Sequence, residues 1–407
     1  MLPFDLYTTE QKRLLQEAGS YFFSPAEFLD QNFFKELKPQ HVKQAYIEQA
    51  RYYQEERKKD IDPERREKIE DFFSRMKESY EIFDSFFQQR VPGPRTSETG
   101  KILAVGGAKG GVGKSIFVAN LSVFLAAKGY RTIAVDLDLG GANLSLYLGE
   151  KFIPERTIND YLKKKYSALP DIAFKSELGP WLISGDSSEL GIANIDHARK
   201  MKLIRAIKAL DADFVVLDLG GDTSFNILDF FLISDYPFVL TTRSSASYIG
   251  AYQFIKTALY RKLNRMASPD AGAKQVKDRK LASLLREATS STGGQPAVKT
   301  VSELMARMAE NDPLDIPEVA RAVIRFSPYL IVNRVSDEVE AGQVAKVISG
   351  LARKSLSFTL ELPGYIKKYP ELEDNPGRGT MLAASKPGSG MYAQMSRIVE
   401  NLGILSC

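Results

Sequence analysis

Sulfur and imidazole are scarce in this chain. Cys407 is the only cysteine, and His41 and His197 are the only histidines. A disulfide framework, a zinc cage and an iron–sulfur site each need several thiolates, so cysteine alone cannot build one here. The two histidines stand without metal-spaced partners and read as ordinary helix residues. One thiol in 407 residues also fits a reducing compartment. Long apolar runs are missing too, since no stretch approaches the ~20 residues that span a bilayer. Met1 to Tyr7 shows no basic segment followed by an apolar one, so no signal peptide is expected. A soluble, cytoplasmic protein is the expectation. Net charge is only +4. That is too little for a dedicated nucleic-acid coat, though it leaves room for a local basic patch.

What is present is ordinary for a globular protein: 44% hydrophobic and 26% charged residues. The length suggests two or three domains. Val91-Pro-Gly-Pro-Arg-Thr-Ser-Glu-Thr-Gly100 is rich in Pro, Gly and small polar residues and separates two textures. Before it, residues 1–90 read as an all-α domain. Val42, Ala45, Tyr46, Ala50 and Tyr53 recur at helical spacing over Lys38 to Arg57. Ile69, Phe72, Phe73, Met76, Tyr80, Ile82, Phe83 and Phe86 do so over Pro63 to Arg90, with Pro63 suited to a first helical turn.

Beyond the 91–100 linker, residues 101–407 alternate short apolar strands with helices. Ile102–Val105, Arg131–Val135, Trp181–Ser184, Phe214–Leu217, Phe238–Leu240 and Tyr329–Val332 are the strand candidates, and Lys114 to Lys128 is an amphipathic helix ended by Gly129. Apolar strands in this rhythm predict an α/β fold, a mostly parallel, doubly wound sheet covered on both faces. Residues of about 261–326 interrupt the pattern. They offer helices but no convincing strand and read as a helical insertion outside the sheet. Arg261 to Arg286 carries eight basic residues against two acidic ones. A solvated face is the plain reading of that run, and a nonspecific, salt-sensitive DNA patch is the alternative.

The chemistry concentrates after the first strand. Gly106-Gly-Ala-Lys-Gly-Gly-Val-Gly-Lys-Ser115 sits between that strand and the first long helix of the 101–407 region, the context a phosphate-binding loop requires. Gly110, Gly111 and Gly113 leave room for backbone N–H groups to wrap a triphosphate at the positive end of the helix. Lys114 is placed to reach the β- and γ-phosphates and Ser115 to put its hydroxyl on Mg²⁺. The expected ATP-binding set is Ala108, Lys109, Gly110, Gly111, Val112, Gly113, Lys114, Ser115 and Ile116. Ala108 stands where such loops usually begin with glycine, and Lys109 is an additional lysine that most of them lack.

Three carboxylates complete the pattern. Asp136 and Asp138 end the second strand two residues apart, so they point the same way at the edge where parallel sheets bind ligands. One could hold Mg²⁺ through water while the other orients an attacking water. Asp218 ends the strand Phe214–Leu217 and is placed for the magnesium shell, and Gly220 and Gly221 let the next loop sense a γ-phosphate.

Together these features resemble the MinD/ParA group of P-loop ATPases, FlhG-type members included. Lys-Gly-Gly-Val-Gly-Lys-Ser is similar to that group's deviant Walker A loop, and the likeness runs from about Lys101 to Leu402, less the insertion. The resemblance implies ATP and Mg²⁺ as cofactors and a nucleotide-dependent homodimer in which Lys109 crosses to the partner's phosphates. It implies Asp136 as the magnesium-side carboxylate and Asp138 as the residue positioning the hydrolytic water. Asn143 would be its switch-loop companion and Asp218 the Walker B aspartate. Asn333, with Arg334 beside it, matches the asparagine that reads adenine. The function implied is an ATP-hydrolysing switch that controls the position or number of a cellular structure.

Some features depart from the group. Asp222 replaces a common glycine, and Thr241-Thr-Arg-Ser-Ser-Ala-Ser247, with Arg243 at its centre, replaces a Thr-Pro-Glu segment. Both bear on the speed of hydrolysis, so a slow or non-hydrolysing nucleotide-dependent scaffold is one alternative. A metabolic P-loop enzyme is another. An assembly ATPase of the Mrp type lacks its paired cysteines here, and a bacterial tyrosine kinase lacks its tyrosine tail. Ser389 to Cys407 is not read as an amphipathic basic helix, so membrane association is unsupported. Residues 34–86 are similar to a J-domain whose His-Pro-Asp is replaced by Gln54-Glu55-Glu56. That implies a docking module for a protein partner; an unrelated helical hairpin packing on its own aromatics is the alternative.

Overall fold

The computed structural model describes Phe4 and residues 7–59, 61–87, 100–107, 110–138, 141–150, 154–185, 195–266, 282–285, 291–292, 295–296, 298, 300–369 and 388–405. The chain divides into two compact units. One comprises Met1–Arg95, Lys262–Phe326 and Ala352–Phe358; the other comprises Thr96–Arg261, Ser327–Leu351 and Thr359–Cys407. In this division Lys262–Phe326, within the segment read as an insertion, falls in the same unit as the N-terminal helices.

The helical unit contains the helices Thr9–Gly19, Pro25–Phe28, Phe33–Glu36, Pro39–Arg57, Pro63–Phe87, Val301–Asn311 and Ile316–Ile324. The first begins with a capping box, Thr8 accepting from the Gln11 backbone N–H while the Gln11 side chain accepts from Thr8 N–H. Pro39 and Pro63 occupy first helical positions, where a missing N–H is harmless. Of the residues read as periodic over Pro63–Phe87, Ile69, Phe72, Met76, Phe83 and Phe86 are buried. Phe28 and Phe34 join them at the centre. Each such side chain contributes about 1.5–3 kcal/mol of transfer free energy. The Phe34 and Phe83 rings stack at 6.4 Å and those of Tyr46 and Tyr80 meet at 4.7 Å. Residues from opposite ends of the sequence are tied by charge. Arg325 grips Glu17 with two bonds of 2.6 and 3.0 Å, and Lys68 pairs with both Asp312 and Asp315. The 261–326 stretch also holds a two-residue hairpin, Ser291–Thr292 with Gln295–Pro296, that the sequence did not announce. Most of its basic run lies outside the described residues.

The other unit is built on eight strands: β1 (Lys101–Gly106), β2 (Thr132–Leu137), β3 (Phe174–Lys175), β4 (Trp181–Ile183), β5 (Phe214–Leu219), β6 (Tyr236–Thr241), β9 (Tyr329–Val335) and β10 (Glu361–Lys367), with β7 and β8 the hairpin named above. The order is β10-β9-β6-β1-β5-β2-β4-β3. Every pairing is parallel except β3 with β4. The six strands expected from sequence are β1, β2, β4, β5, β6 and β9. The other two are edge strands with reasons to be missed. β3 is two residues long. β10 contains Pro363 and Gly364, and its pairing with β9 shifts register between Glu361 and Gly364, the kind of edge that tolerates such residues.

Connectivity positions the site. The chain leaves β1 for β2, beyond β5 on one side, and later places β6 on the other side of β1. A crevice opens beyond the carboxyl end of a strand where the winding reverses in this way. The helix Lys114–Ala127 follows β1 and buries Phe117, Val118, Leu121 and Phe124 against Leu103, Val105, Val216 and Phe238. The stretch from Ser389, not read as an amphipathic basic helix, forms the helix Gly390–Asn401, in which Arg397 is the one basic residue, and its apolar face, Met391, Met395, Ile398 and Val399, lies in this core. Among the described residues, no helix is long and apolar enough to cross a membrane.

Candidate functional site

The loop after β1 turns into its helix through two left-handed glycines, Gly111 at φ 76° and Gly113 at φ 93°. Gly113 is the N-cap, and a Cβ there would lie 2.4 Å from the Asn333 amide nitrogen. Conformation and space both demand glycine at that point. Asn333 Nδ2 donates to the Val112 carbonyl at 2.8 Å, so the residue expected to read a base also holds the loop in place. Arg334, next along β9, is a non-glycine residue at φ 60°, where β9 and β10 slip register between Ile366 and Lys367. Backbone strain of this kind is held in place at sites by surrounding structure. Ala108 and Lys109, expected to begin the cradle and to cross to a partner, lie outside the described residues.

Lys114 begins the helix and is buried. Burial pulls its ammonium below the ordinary lysine range, while the charges of Asp218, Asp138 and Asp222 oppose that. The structure thus gathers Lys114 with two of the expected carboxylates and with Asp222, noted from sequence only as a departure.

Asp136 and Asp218 are direct cross-strand partners in the β2–β5 register, and Asp218 also faces Val105 of β1. Both are fully buried, yet their oxygens are used differently. Asp136 accepts from the backbone N–H of Asp138 at 3.1 Å and of Leu144 at 3.0 Å, with the Asn143 backbone adding to these. It therefore organises the loop that carries Asp138 and Asn143. Burial wins over those bonds and pushes its carboxyl up to about 7. Neither oxygen of Asp218 has a hydrogen-bond partner in the structure. Burial and the neighbouring Asp136 raise it well above the carboxylate range, with Ser115 and Lys114 acting in the other direction. A buried carboxylate with both oxygens orphaned beside a serine hydroxyl suits a hard cation, which takes one or two protein oxygens and completes its shell with phosphate and water.

Asp138 lies over the glycines of the next loop: a Cβ at Gly220 would stand 3.3 Å from its Oδ1. Asn143 is exposed and its Nδ2 donates to the Gly141 carbonyl at 2.6 Å. Gly221 and Asp222 form a bend, and Asp222 accepts from Ser224 N–H at 2.7 Å. Arg243 pairs with Glu340 at 3.1 Å on the surface.

Beside Gly113 a shallow cleft open to solvent is lined by Ile116, Phe117, Asn333, Arg334, Ile366, Lys367, Tyr369, Met391 and Met395. Its walls are mostly apolar, and among the described residues that line it Arg334 and Lys367 are cations. Of these residues the sequence reading named Ile116, Asn333 and Arg334. Met391 and Met395, four apart, carried a signal of helical spacing but none of their destination.

A left-handed glycine loop at a helix start, a buried lysine and paired acidic strand ends together define a nucleotide-binding α/β domain of the P-loop class. Within that class the chain belongs to the CobQ/CobB/MinD/ParA nucleotide binding domain family, whose model matches residues 103–382. It is 32% identical over 180 residues to the flagellum site-determining protein YlxH of Helicobacter pylori, covering 42% of this chain and 60% of that protein. It is 27% identical over 158 residues to the antiactivator FleN of Pseudomonas aeruginosa, covering 38% of this chain and 55% of that protein. The chain thus spans little more than half the length of these relatives. Among solved structures, the septum site-determining protein MinD of Pyrococcus horikoshii, complexed with Mg-ADP, superimposes with a TM-score of 0.47 at 18% identity, covering 75% of this chain and 97% of that one.

Proposed function

We propose that this chain is an Mg²⁺-dependent ATPase that works as a dimerisation switch, controlling where or in what number a cellular structure forms. The observation that carries the reading is Asp218: a fully buried carboxylate whose oxygens meet no donor in full hydrogen-bond geometry, in register with Asp136 and close to the Ser115 hydroxyl and Lys114. The names of the flagellum site-determining and antiactivator relatives support the cellular role.

In this reading the amides of Gly110 to Ser115 and the Lys114 ammonium bind the phosphates, and the base enters the cleft walled by Ile116, Phe117 and Met391. Ser115 and Asp218 hold Mg²⁺, which when bound neutralises phosphate charge. Asp136 ties down the loop of Asp138 and Asn143, and Asp138 orients the attacking water. Gly220 and Gly221 give the following loop freedom to order around the γ-phosphate. Lys109 reaches the second copy. The helical unit docks the protein whose position is controlled.

To shift a dimer equilibrium from 1:99 to 99:1, ATP must favour the dimer by about 5.5 kcal/mol over ADP. Several charge-assisted contacts to the phosphates supply energy of that order. Calorimetry with Mg²⁺-ATP tests the core of the reading, and a chain that retains no ATP would sink it. Gel filtration tests the switch: Asp138→Ala should accumulate as an ATP-bound dimer, and a monomer under those conditions speaks against it. Phosphate release separates a hydrolysing switch from a non-hydrolysing scaffold.

A further inference from the structure

The short helix Phe225–Phe231 follows the glycine loop after β5, and a buried charge cluster latches it. Asp229, in the middle of this helix, is 3% exposed on its side chain and pairs with two cations from two other helices. Lys200 comes from His197–Lys208 and is equally buried. Arg261 comes from Ser245–Met266 and grips Asp229 through Nε at 2.9 Å and a second nitrogen at 2.8 Å. The Phe225 ring, 65% exposed, covers the guanidinium at 4.4 Å. Burial opposes ionisation of Asp229, and the two cations overcome it, holding its carboxyl below the ordinary range.

Buried ion clusters are poor sources of stability, since well-packed apolar side chains of similar volume often do as well; they fix geometry instead. The geometry fixed here leads to the site. Ile227, two residues before Asp229, is buried, and its Cδ1 would lie 3.3 Å from a Cβ at Gly220. The same Cβ would lie 3.3 Å from Asp138 Oδ1. Gly220 is therefore sandwiched between the latched helix and the carboxylate proposed to orient water.

We infer that Asp229, Arg261 and Lys200 act as positioning residues for hydrolysis, holding the Phe225–Phe231 helix so that Ile227 seats Gly220 against Asp138. The inference rests on the ATPase reading above. It separates two functions of one site: the loop and Lys114 bind nucleotide without the latch, and turnover requires it.

The test is Arg261→Gln, which leaves Asp229 its lysine and so keeps one cation on the buried carboxylate. Expected is a kcat lower by roughly ten-fold with ATP affinity within two-fold of the parent, alongside a lower Tm because the buried carboxylate loses one partner. Arg261→Lys, which keeps the charge but loses the planar fork, should recover part of the rate. Phe225→Ala is a second probe at an exposed position, expected to lower kcat by roughly two- to three-fold. Unchanged kcat in Arg261→Gln with normal ATP binding overturns the inference. So does a loss of ATP affinity in parallel with that of Tm, which marks a structural role. Should Arg261→Gln fail to fold, an unchanged kcat in Phe225→Ala overturns it. A parent chain that binds ATP without hydrolysing it also overturns the latch but spares nucleotide binding. A parent that binds no ATP sinks the reading beneath both.

Discussion

Buried carboxylates in the helical unit and at the carboxyl edge of the sheet live under opposite rules. In the helical unit Glu17 has Arg325, and Asp312 and Asp315 share Lys68. Among the described residues, these buried and half-buried anions each have a cation. At the sheet edge Asp218 is buried with neither oxygen bonded, and Asp136 faces it across one strand spacing. Pairing serves the first unit's packing. The second leaves two buried carboxyls facing each other, which burial and their mutual proximity hold toward the protonated form and which a bound cation would ionise. An arrangement of that kind marks function, because nothing in packing requires it.

The comparison can be broken or sharpened by substitution. The largest effect is expected from Lys114→Ala, which removes the ammonium proposed for two phosphates. ATP affinity should fall by roughly 10²–10⁴-fold in calorimetry, from two lost charge-assisted contacts of about 1.5–3 kcal/mol each. Unaltered affinity would refute the site. Gly113→Ala comes next, forcing a Cβ against the Asn333 amide at a left-handed φ. Strain of about 1–3 kcal/mol predicts a roughly 5- to 150-fold weaker binding with the sheet intact by circular dichroism.

Asp218→Asn sharpens the contrast, because it should damage function and help stability at once. The nucleotide-free protein should gain about 1–2 kcal/mol, read as a higher Tm, while the Mg²⁺ dependence of ATP binding disappears. A lower Tm would mean that this aspartate is stabilising after all. The pH dependence has the same origin. Asp136 keeps its proton up to about 7, whereas the unfolded chain's carboxyl loses it near pH 4. Between those values the native state binds more protons, so stability is full below about pH 4 and is lost as pH rises through about 7. Nucleotide-free Tm should therefore decline from pH 5 to 8, and Mg²⁺-ATP should bind more tightly over the same range, as the cation prefers the ionised pair. Titration scans with and without ligand read both slopes.

The smallest effect belongs to the helical unit. Arg325→Ala leaves Glu17 without its fork, and because the arginine is half exposed the cost should be about 1–2 kcal/mol. Chemical denaturation should register it while ATP affinity stays at the parent value.

The sequence by itself determined the loop, its two neighbouring acidic strand ends and six of the eight strands. Those signals are local: glycines at fixed spacing, Lys-Ser at a helix start, and apolar runs ending in aspartate. The tertiary structure alone decided the rest. That Asp136 bonds the loop N–H groups while Asp218 bonds nothing depends on which backbone passes each side chain. That Met391, Met395, Ile366 and Asn333 share one cleft, or that residues 262–326 group with the first 95, depends on closures hundreds of residues long. Spacing within one element reveals a face; it does not reveal what that face meets, because contact between distant segments is set by topology and packing.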